Sequence, residues 1–576
     1  MDTIQSFITL KKNCKKDMTG LKLIKVAVMG DCATQHLATA VKGMGYEMGY
    51  AIDILDTDYN QILPQLMDPG SETYRHEPAA VIIDMCSEKL YDAFAETELD
   101  ARNSFAQNKY NEIESYWKKL AENSNAKIIQ FNFPEQDDRV YGNFGAREDK
   151  SFIYQLRKLN MLMAEGAGCN KNVFICDVAY VQNCMGRDNF SDAKLYYAAK
   201  MPYSNMALPY IAREVVRLIQ AFSADVKKCV VLDLDNTLWG GVVGDDGLEG
   251  IQIGELGIGH AFMSFQQWLK ELTKRGIILA VCSKNDEDKA KEPFVKHPEM
   301  VLRLDDIAMF VANWEDKAGN IRFIRETLNI GMDSMVFIDD NPFERNLVRE
   351  MIPEITVPEI PEDPAEYVTY LEKLNLFETI SSSASDRDRT RQYKEEAGRN
   401  ELKSKLGSYE DYLKELMMIG EAKPFDSFQY PRIAQLTQRS NQFNLRTVRY
   451  TEDEIAGLAG NDSYVTRYFT LRDKFGDHGL ISVLIMEKQP EALFIDSLLM
   501  SCRVLKRGME EFIMNEIVRA ARECGYNKLK AQYIKTPKNS MVEHLYDNMG
   551  WTPLGDGYYE LDADSYIDKN NYITKQ

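Results

Sequence analysis

The sequence predicts a multidomain α/β protein: two consecutive parallel-sheet units, then a smaller α+β unit. Three observations carry this expectation. Short apolar, β-branched runs alternate with helical periodicities over more than half of the chain, the pattern of strands joined by crossover helices. Several of those runs end abruptly in Asp, Ser or Asn, at the edge where open parallel sheets place their ligands. From Lys423 onward the texture changes to strand, turn and strand followed by a helix. The 576 residues suffice for about three to four domains of ordinary size.

Taken in order, a basic tail over residues 1–20 precedes the first strand-like run, Leu23–Met29. Ala79–Ile83 (ending at Asp84), Lys127–Phe131 and Val173–Ile175 are the next buried-strand candidates, with helical patterns at Glu112–Leu120 and Phe152–Ala164. Together they predict an α/β domain over 21–222. A second set begins at once: Cys229–Leu232, Ile277–Val281, Met309–Ala312 and Met335–Ile338 read as strands, His260–Lys274 and Asp316–Asn329 as helices. The Pro-rich stretch Val357–Pro364 closes this unit, predicted over 223–364. The highly charged segment Ser385–Leu416, with helix starters at Ser385 and Asp386, predicts a helical connector within 365–422. In the last unit, 423–576, Ile481–Met486 and Ala492–Met500 read as adjacent strands turned at Lys488–Glu491, Met509–Cys524 as a helix, and Lys528–Tyr533 as a further strand.

Composition narrows the function classes. With 69 basic and 89 acidic residues the net charge is -20, which argues against broad nucleic-acid binding because that depends on neutralising phosphates. No apolar run approaches the ~20 residues needed to span a bilayer, and the first residues have no signal-peptide core. A soluble, cytoplasmic protein without membrane contact is expected. The ten cysteines are scattered without a CxxC pair, and the six histidines lack ligand-like spacing. They read as reduced thiols, not as a disulfide framework or a zinc site.

The chemistry concentrates in the second unit. Its first strand runs into Asp233-Leu234-Asp235-Asn236-Thr237. One carboxylate there can attack phosphorus while the other protonates the leaving oxygen, giving an aspartyl phosphate. The second strand ends Cys282-Ser283-Lys284-Asn285, putting a hydroxyl near phosphoryl oxygens, and Lys317 opens a helix with positive charge. The last strand ends Asp339-Asp340-Asn341, an acidic pair suited to a hard cation. A lone DxD would read as a cap or a surface pair; four such pieces at successive strand ends do not.

These pieces resemble the haloacid dehalogenase superfamily over about 130 residues. The resemblance implies Asp233 as nucleophile and Mg2+ ligand, and Asp235 as general acid/base and ligand through its carbonyl. Thr237, Ser283 and Lys317 would hold the phosphoryl group, and Asp339 with Asp340 would complete the magnesium site. A finer resemblance covers nearly the whole chain. Leu232–Val242 (LDLDNTLWGGV), Asn313-Trp314, Phe337–Arg345 (FIDDNPFER) and Arg432–Arg449, with Gln438–Phe443 at its core, look like the FkbH-like proteins. That family implies a glyceryl transferase/phosphatase. It takes its unit from 1,3-bisphosphoglycerate, a small phosphorylated substrate, and loads an acyl carrier protein acting in trans. A stand-alone phosphomonoesterase and a carrier-docking scaffold are the alternatives.

The fold implied is thus a Rossmann-like haloacid dehalogenase core between an SGNH-hydrolase-like α/β domain and a GNAT-like α+β domain. Gly30-Asp31-Cys32 resembles the SGNH Gly-Asp-Ser start with cysteine for serine and no later DxxH partner, so a degenerate domain is expected. In the GNAT-like part, Cys502, Arg503, Lys506, Arg507 and Gly508 lie between a strand and a helix, where that fold cradles a pyrophosphate, and a carrier or cofactor phosphate is expected there. Lys506 stands where glycine is preferred. Asp496-Ser497-Leu498 mimics a carrier-protein motif but lies within a strand-like run, so Ser497 reads as structural. Cys282, beside the phosphate site, is expected to carry the acyl group as a thioester, with Cys502 as its rival. The Gly240–Gly254 segment is expected to form a flap in place of a cap domain.

Overall fold

Three sheets organise the chain in a computed structural model that describes residues 4–576 apart from 223–225, 380–388, 441, 502–503 and 537–538. The first sheet is wholly parallel: β1 (Lys22–Gly30), β2 (Tyr50–Asp56), β3 (Ala80–Asp84), β4 (Lys127–Phe131) and β5 (Val173–Cys176), in the order β2-β1-β3-β4-β5. β1, β3 and β4 are apolar because helices cover both faces, as parallel sheets require. β2 was not legible in the sequence. It is an edge strand, buried at Tyr50–Ile52 and then open, so it shows neither a continuous apolar run nor clean alternation.

The second sheet is also parallel: β6 (Cys229–Leu232), β7 (Ile278–Ser283), β8 (Ile307–Ala312) and β9 (Met335–Ile338), in the order β8-β7-β6-β9. Every residue of β6, β7 and β9 is buried, so these strands read as continuous hydrophobic runs. The helix Lys317–Leu328 starts at an Asp316 cap that accepts from Gly319 N–H and stops at Asn329 in the left-handed region. With β6 between β7 and β9, the loops leaving three strands converge at one edge.

The third sheet is mixed: β10 (Met418–Lys423), β11 (Tyr464–Asp473), β12 (Gly476–Lys488), β13 (Leu493–Met500), β14 (Lys528–Gln532), β15 (Thr552–Gly555), β16 (Tyr558–Asp562) and β17 (Ile573–Lys575). Its order is β15-β16-β14-β13-β12-β11-β10-β17, and the helix Met509–Glu523 connects β13 to its parallel neighbour β14. The connector holds the helix Arg389–Lys405; the starters Ser385 and Asp386 lie outside the described residues. Ala397 on that helix joins the core of the second unit. Arg399, 2% exposed, forks onto Asp473 of the third with contacts of 2.7 and 3.0 Å. Among the described residues, no helix is long and apolar enough to cross a membrane.

Candidate active site

Asp233 continues the β6 ladder, donating its N–H to Ile338 O at 3.0 Å. The chain then turns sharply. Asn236 takes a left-handed conformation (φ 55°), which asparagine tolerates better than most residues, and its side-chain carbonyl accepts Gly241 N–H at 2.9 Å. Leu234, Leu238 and Trp239 are fully buried, so the turn is held down by apolar anchors while its carboxylates face the sheet edge.

Asp235 is gripped at both oxygens. Trp239 Nε1–H and Val243 N–H donate to Oδ1 at 2.9 Å each, and Asn285 Nδ2–H donates to Oδ2 at 2.9 Å. Burial raises its pKa, and the Val243 and Trp239 donors only partly oppose that, so the carboxyl holds its proton more readily than an exposed aspartate. This suits a general acid. Lys317 bridges the remaining carboxylates, with Nζ 3.0 Å from Asp233 Oδ1 and 2.6 Å from Asp339 Oδ2. Burial works to discharge this lysine, but the charges of Asp233 and Asp339 prevail and hold it protonated.

Asp233, Asp339 and Asp340 each offer an oxygen within 4.8 Å of the others. Three carboxylates against one ammonium leave two negative charges in a buried pocket. Burial first, and then the Asp233 charge, push Asp339 up to about 7 and raise Asp340 as well. A divalent, oxygen-seeking cation removes that conflict, so the donor set fits magnesium. The loop is buttressed from behind: Arg345 donates to the carbonyls of Asp339 and Asp340 at 2.8 and 2.7 Å, and Asn341 N–H donates to Asp339 Oδ1 at 2.8 Å.

Thr237 is fully buried and exchanges hydrogen bonds with Asp340, accepting its N–H at 3.1 Å and donating to Oδ1 at 3.3 Å. Its hydroxyl therefore positions Asp340 and is not presented to a phosphoryl group. Ser283 ends β7, at the same edge as Asp233 and Asp339. The Gly240–Gly254 segment lies against the site: Gly240 and Gln252 exchange backbone hydrogen bonds of 3.0 and 2.7 Å, pinning an excursion that carries the short helix Val243–Gly250.

Residues 25–220 match the family FkbH, N-terminal domain. The solved N-terminal part of the protein BF1531 from Bacteroides fragilis, containing a phosphatase domain complexed with Mg, is 49% identical, with a TM-score of 0.62. The match covers 66% of this chain and 100% of that one. The chain belongs to the FkbH-like family. The ribosomal-protein-S18-alanine N-acetyltransferase from Escherichia coli matches over 26% of this FkbH-like chain and 98% of its own, at 14% identity and a TM-score of 0.20. The spermidine/spermine N-acetyltransferase SpeG from Vibrio cholerae matches at 13% identity and a TM-score of 0.21, over 26% and 96%. No curated protein matches.

Several further expectations need correction in this FkbH-like protein. Cys282 is fully buried in the core, with its thiol donating to Lys317 O at 3.7 Å; burial pushes the thiol well above its ordinary range. A protonated core thiol is not an acyl acceptor. In the third domain, Arg507 is 6% exposed and spent on Glu396 at 3.2 Å and Asp473 at 3.5 Å, where it ties down the connector. Lys506 is exposed with φ 61°, but its N–H already donates to Glu510 Oε1 at 3.0 Å. Gly508 (φ 83°) precedes a helix whose first turn carries Glu510 and Glu511, charges that repel a phosphate. Cys502 and Arg503 lie outside the described residues.

Beyond the paired stretch of β13 and β14, the chain around Phe443–Leu445 bonds to both. Met500 N–H donates to Phe443 O (3.0 Å), Leu445 N–H to Leu498 O (3.3 Å), and Ile534 N–H to Leu445 O (2.8 Å). The motif around Phe443 therefore bridges the two strands, with Asn444 paired to Leu499; Asn441 and the Arg439 side chain are outside the described set. Trp239, Asn285 and Arg345 are the functional residues that sequence reasoning left unassigned. Each sits within a motif that stood out; Trp239 and Arg345 bond within their own motifs, whereas Asn285 reaches Asp235 from 50 residues away.

Proposed function

We propose that this protein is a glyceryl transferase/phosphatase that uses 1,3-bisphosphoglycerate and delivers the glyceryl unit to an acyl carrier protein in trans. The observation that carries the proposal is the pairing of Asp233, charge-balanced by Lys317, with Asp235, held by three donors beside it. The substrate has two phosphates with different chemistry. At the phosphomonoester, a carboxylate oxygen of Asp233 attacks phosphorus, the P–O bond to the substrate breaks, and Asp235 gives its proton to the departing oxygen. Asp235 then takes a proton from water as that water hydrolyses the aspartyl phosphate, releasing inorganic phosphate. Lys317 stays charged and faces the developing negative charge. Magnesium, held by Asp233, Asp339, Asp340 and the Asp235 carbonyl, would supply Lewis-acid charge at the phosphoryl oxygens.

At the acyl phosphate, a thiolate attacks the carbonyl carbon, the C–O bond to phosphate breaks, and the thioester forms. With Cys282 buried, that thiol is the carrier's own. The short pinned flap, in place of a folded cap, leaves room for a macromolecule-borne arm. A stand-alone phosphomonoesterase is the second reading, favoured by the internally occupied phosphate loop of the third domain. Intact-mass analysis of a phosphopantetheinylated carrier, incubated with protein, magnesium and 1,3-bisphosphoglycerate, separates the two. A glyceryl-sized gain on the carrier is expected; phosphate release with an unmodified carrier favours the phosphomonoesterase.

A further inference from the structure

The first domain gathers thiols that the sequence keeps far apart. β1 and β3 are neighbours, with Gly30 opposite Asp84, so the loops Asp31-Cys32 and Met85-Cys86 leave the sheet side by side. In the order β2-β1-β3-β4-β5 this is where the sheet changes its direction of winding, the usual place for a ligand in an open α/β sheet. Cys32 is 1% and Cys86 2% exposed. The Asp31 carboxylate and the two sulfurs lie within 4.8 Å of one another.

A second layer orients them. Cys86 N–H donates to Asp31 Oδ1 at 2.9 Å, the Cys32 thiol donates to Asp84 Oδ2 at 3.6 Å, and the Tyr203 hydroxyl donates to Asp84 Oδ1 at 2.6 Å. Burial pushes Asp31 up to about 6 and Asp84 up to about 7. The hydrogen bond that the Cys32 thiol donates to Cys86, together with burial, keeps the Cys32 thiol protonated. A serine-hydrolase-like role is poorly served, because the partners of the Cys32 thiol are the Asp84 carbonyl and carboxylate and the Cys86 thiol, none of which can act as an imidazole would.

We infer that Asp31, Cys32 and Cys86 form a binding site for one thiophilic divalent cation of the zinc class, separate from the oxygen-only magnesium site. Metal–sulfur distances of about 2.3 Å and metal–oxygen distances of about 2.0 Å put tetrahedral ligands roughly 3.5–3.8 Å apart, within the observed clustering. Two sulfurs select against magnesium and calcium. On binding, the two S–H bonds break, two metal–sulfur bonds form, and the two thiol protons pass to solvent. Three protein ligands leave a fourth position open, as in catalytic rather than structural sites. Asp31 lines one cavity, of about 410 Å³, with Asn60, Lys89, Lys109, Tyr116 and Phe133, and Cys86 lines another with Ser87, Gln182 and Tyr203. Asp84 and Tyr203 are the positioning pair.

The test is cobalt titration of the full-length, reduced, chelator-stripped protein in excess magnesium. One equivalent of cobalt is expected to produce a thiolate charge-transfer band, which one equivalent of zinc abolishes. Cys86→Ser should remove the band, and Tyr203→Phe should weaken cobalt binding about 10- to 100-fold. Asp233→Asn should leave the band in place. The absence of a band in the unmodified protein would overturn the inference. So would a band unchanged in Cys86→Ser, which would then report the exposed Cys169, Cys184 or Cys524. A resting Cys32–Cys86 disulfide, seen by mass under non-reducing conditions, would replace the metal site with a redox pair.

Discussion

Replacing Lys317 with methionine tests the charge balance on which the phosphatase site depends. The side chain of Lys317 is 4% exposed, that of Asp339 fully buried and that of Asp233 10% exposed, so solvent cannot take over from the lost ammonium. Methionine keeps the length and the apolar stem but leaves Asp233, Asp339 and Asp340 facing one another. Removing one partner of a buried ion pair costs about 3–5 kcal/mol. Magnesium should recover part of that loss, because the ion binds the folded state alone; a ligand at 100 times its dissociation constant contributes about 2.7 kcal/mol. The ion also no longer competes with an ammonium for the same oxygens. Calorimetry that resolves the transition of the second domain should therefore show a larger deficit in chelator than in saturating magnesium. Turnover should fall by about 100- to 1,000-fold even with magnesium present, the usual cost of removing one donor from a developing oxyanion. If the variant unfolds within about 0.5 kcal/mol of the parent in chelator, the ordinary range for a surface substitution, the charge argument is wrong. An unchanged response to magnesium would refute it equally.

Three further outcomes are expected. Asp233→Asn should abolish phosphate release with the fold retained, and excess chelator should do the same to the parent; magnesium-dependent turnover near the parental rate in the variant would remove Asp233 as nucleophile. Cys282→Ala should retain phosphate release and carrier loading, since a core thiol is exchanged for a smaller core residue; loss of acyl transfer with phosphate release intact would restore the thioester role. Asp473→Asn should destabilise the junction between connector and third domain by about 3–5 kcal/mol, because Arg399 and Arg507 lose their buried counter-ion. Burial tends to raise Asp473, but hydrogen bonds from His478 and Arg399 hold it well below the usual carboxylate range. Its contribution is therefore full above the ordinary aspartate pKa and is lost only as pH falls through the depressed value, a loss the asparagine variant should not show in denaturation at acid pH.

Much of this protein is legible along the chain, because buried parallel strands announce themselves as apolar runs and the chemistry stands directly at their ends. β6, β7 and β9, with Asp233, Ser283 and Asp339 leaving them, need no long-range information to be found. β2 was missed because an edge strand buried only over Tyr50–Ile52 has no distinctive period. The first strands of the third domain were missed because their apolar faces match partners elsewhere in the chain.

What the sequence determined by itself is the set of reactive groups and the strand edge that presents them, since both are local properties of side chain and spacing. Direction and pairing were decided only in three dimensions. Cys282 and Ser283 are adjacent, yet strand alternation sends one into the core and the other to the site edge. Thr237 belongs to the motif but spends its hydroxyl on Asp340, 103 residues away in the chain. Arg507 reads as a phosphate ligand until Glu396 and Asp473 are folded against it. Cys32 stands in a motif that gives no hint of Cys86, and only the pairing of β1 with β3 makes them neighbours. Burial then sets the protonation of each group, because the cost of a charge depends on how much water and which partner the fold leaves beside it.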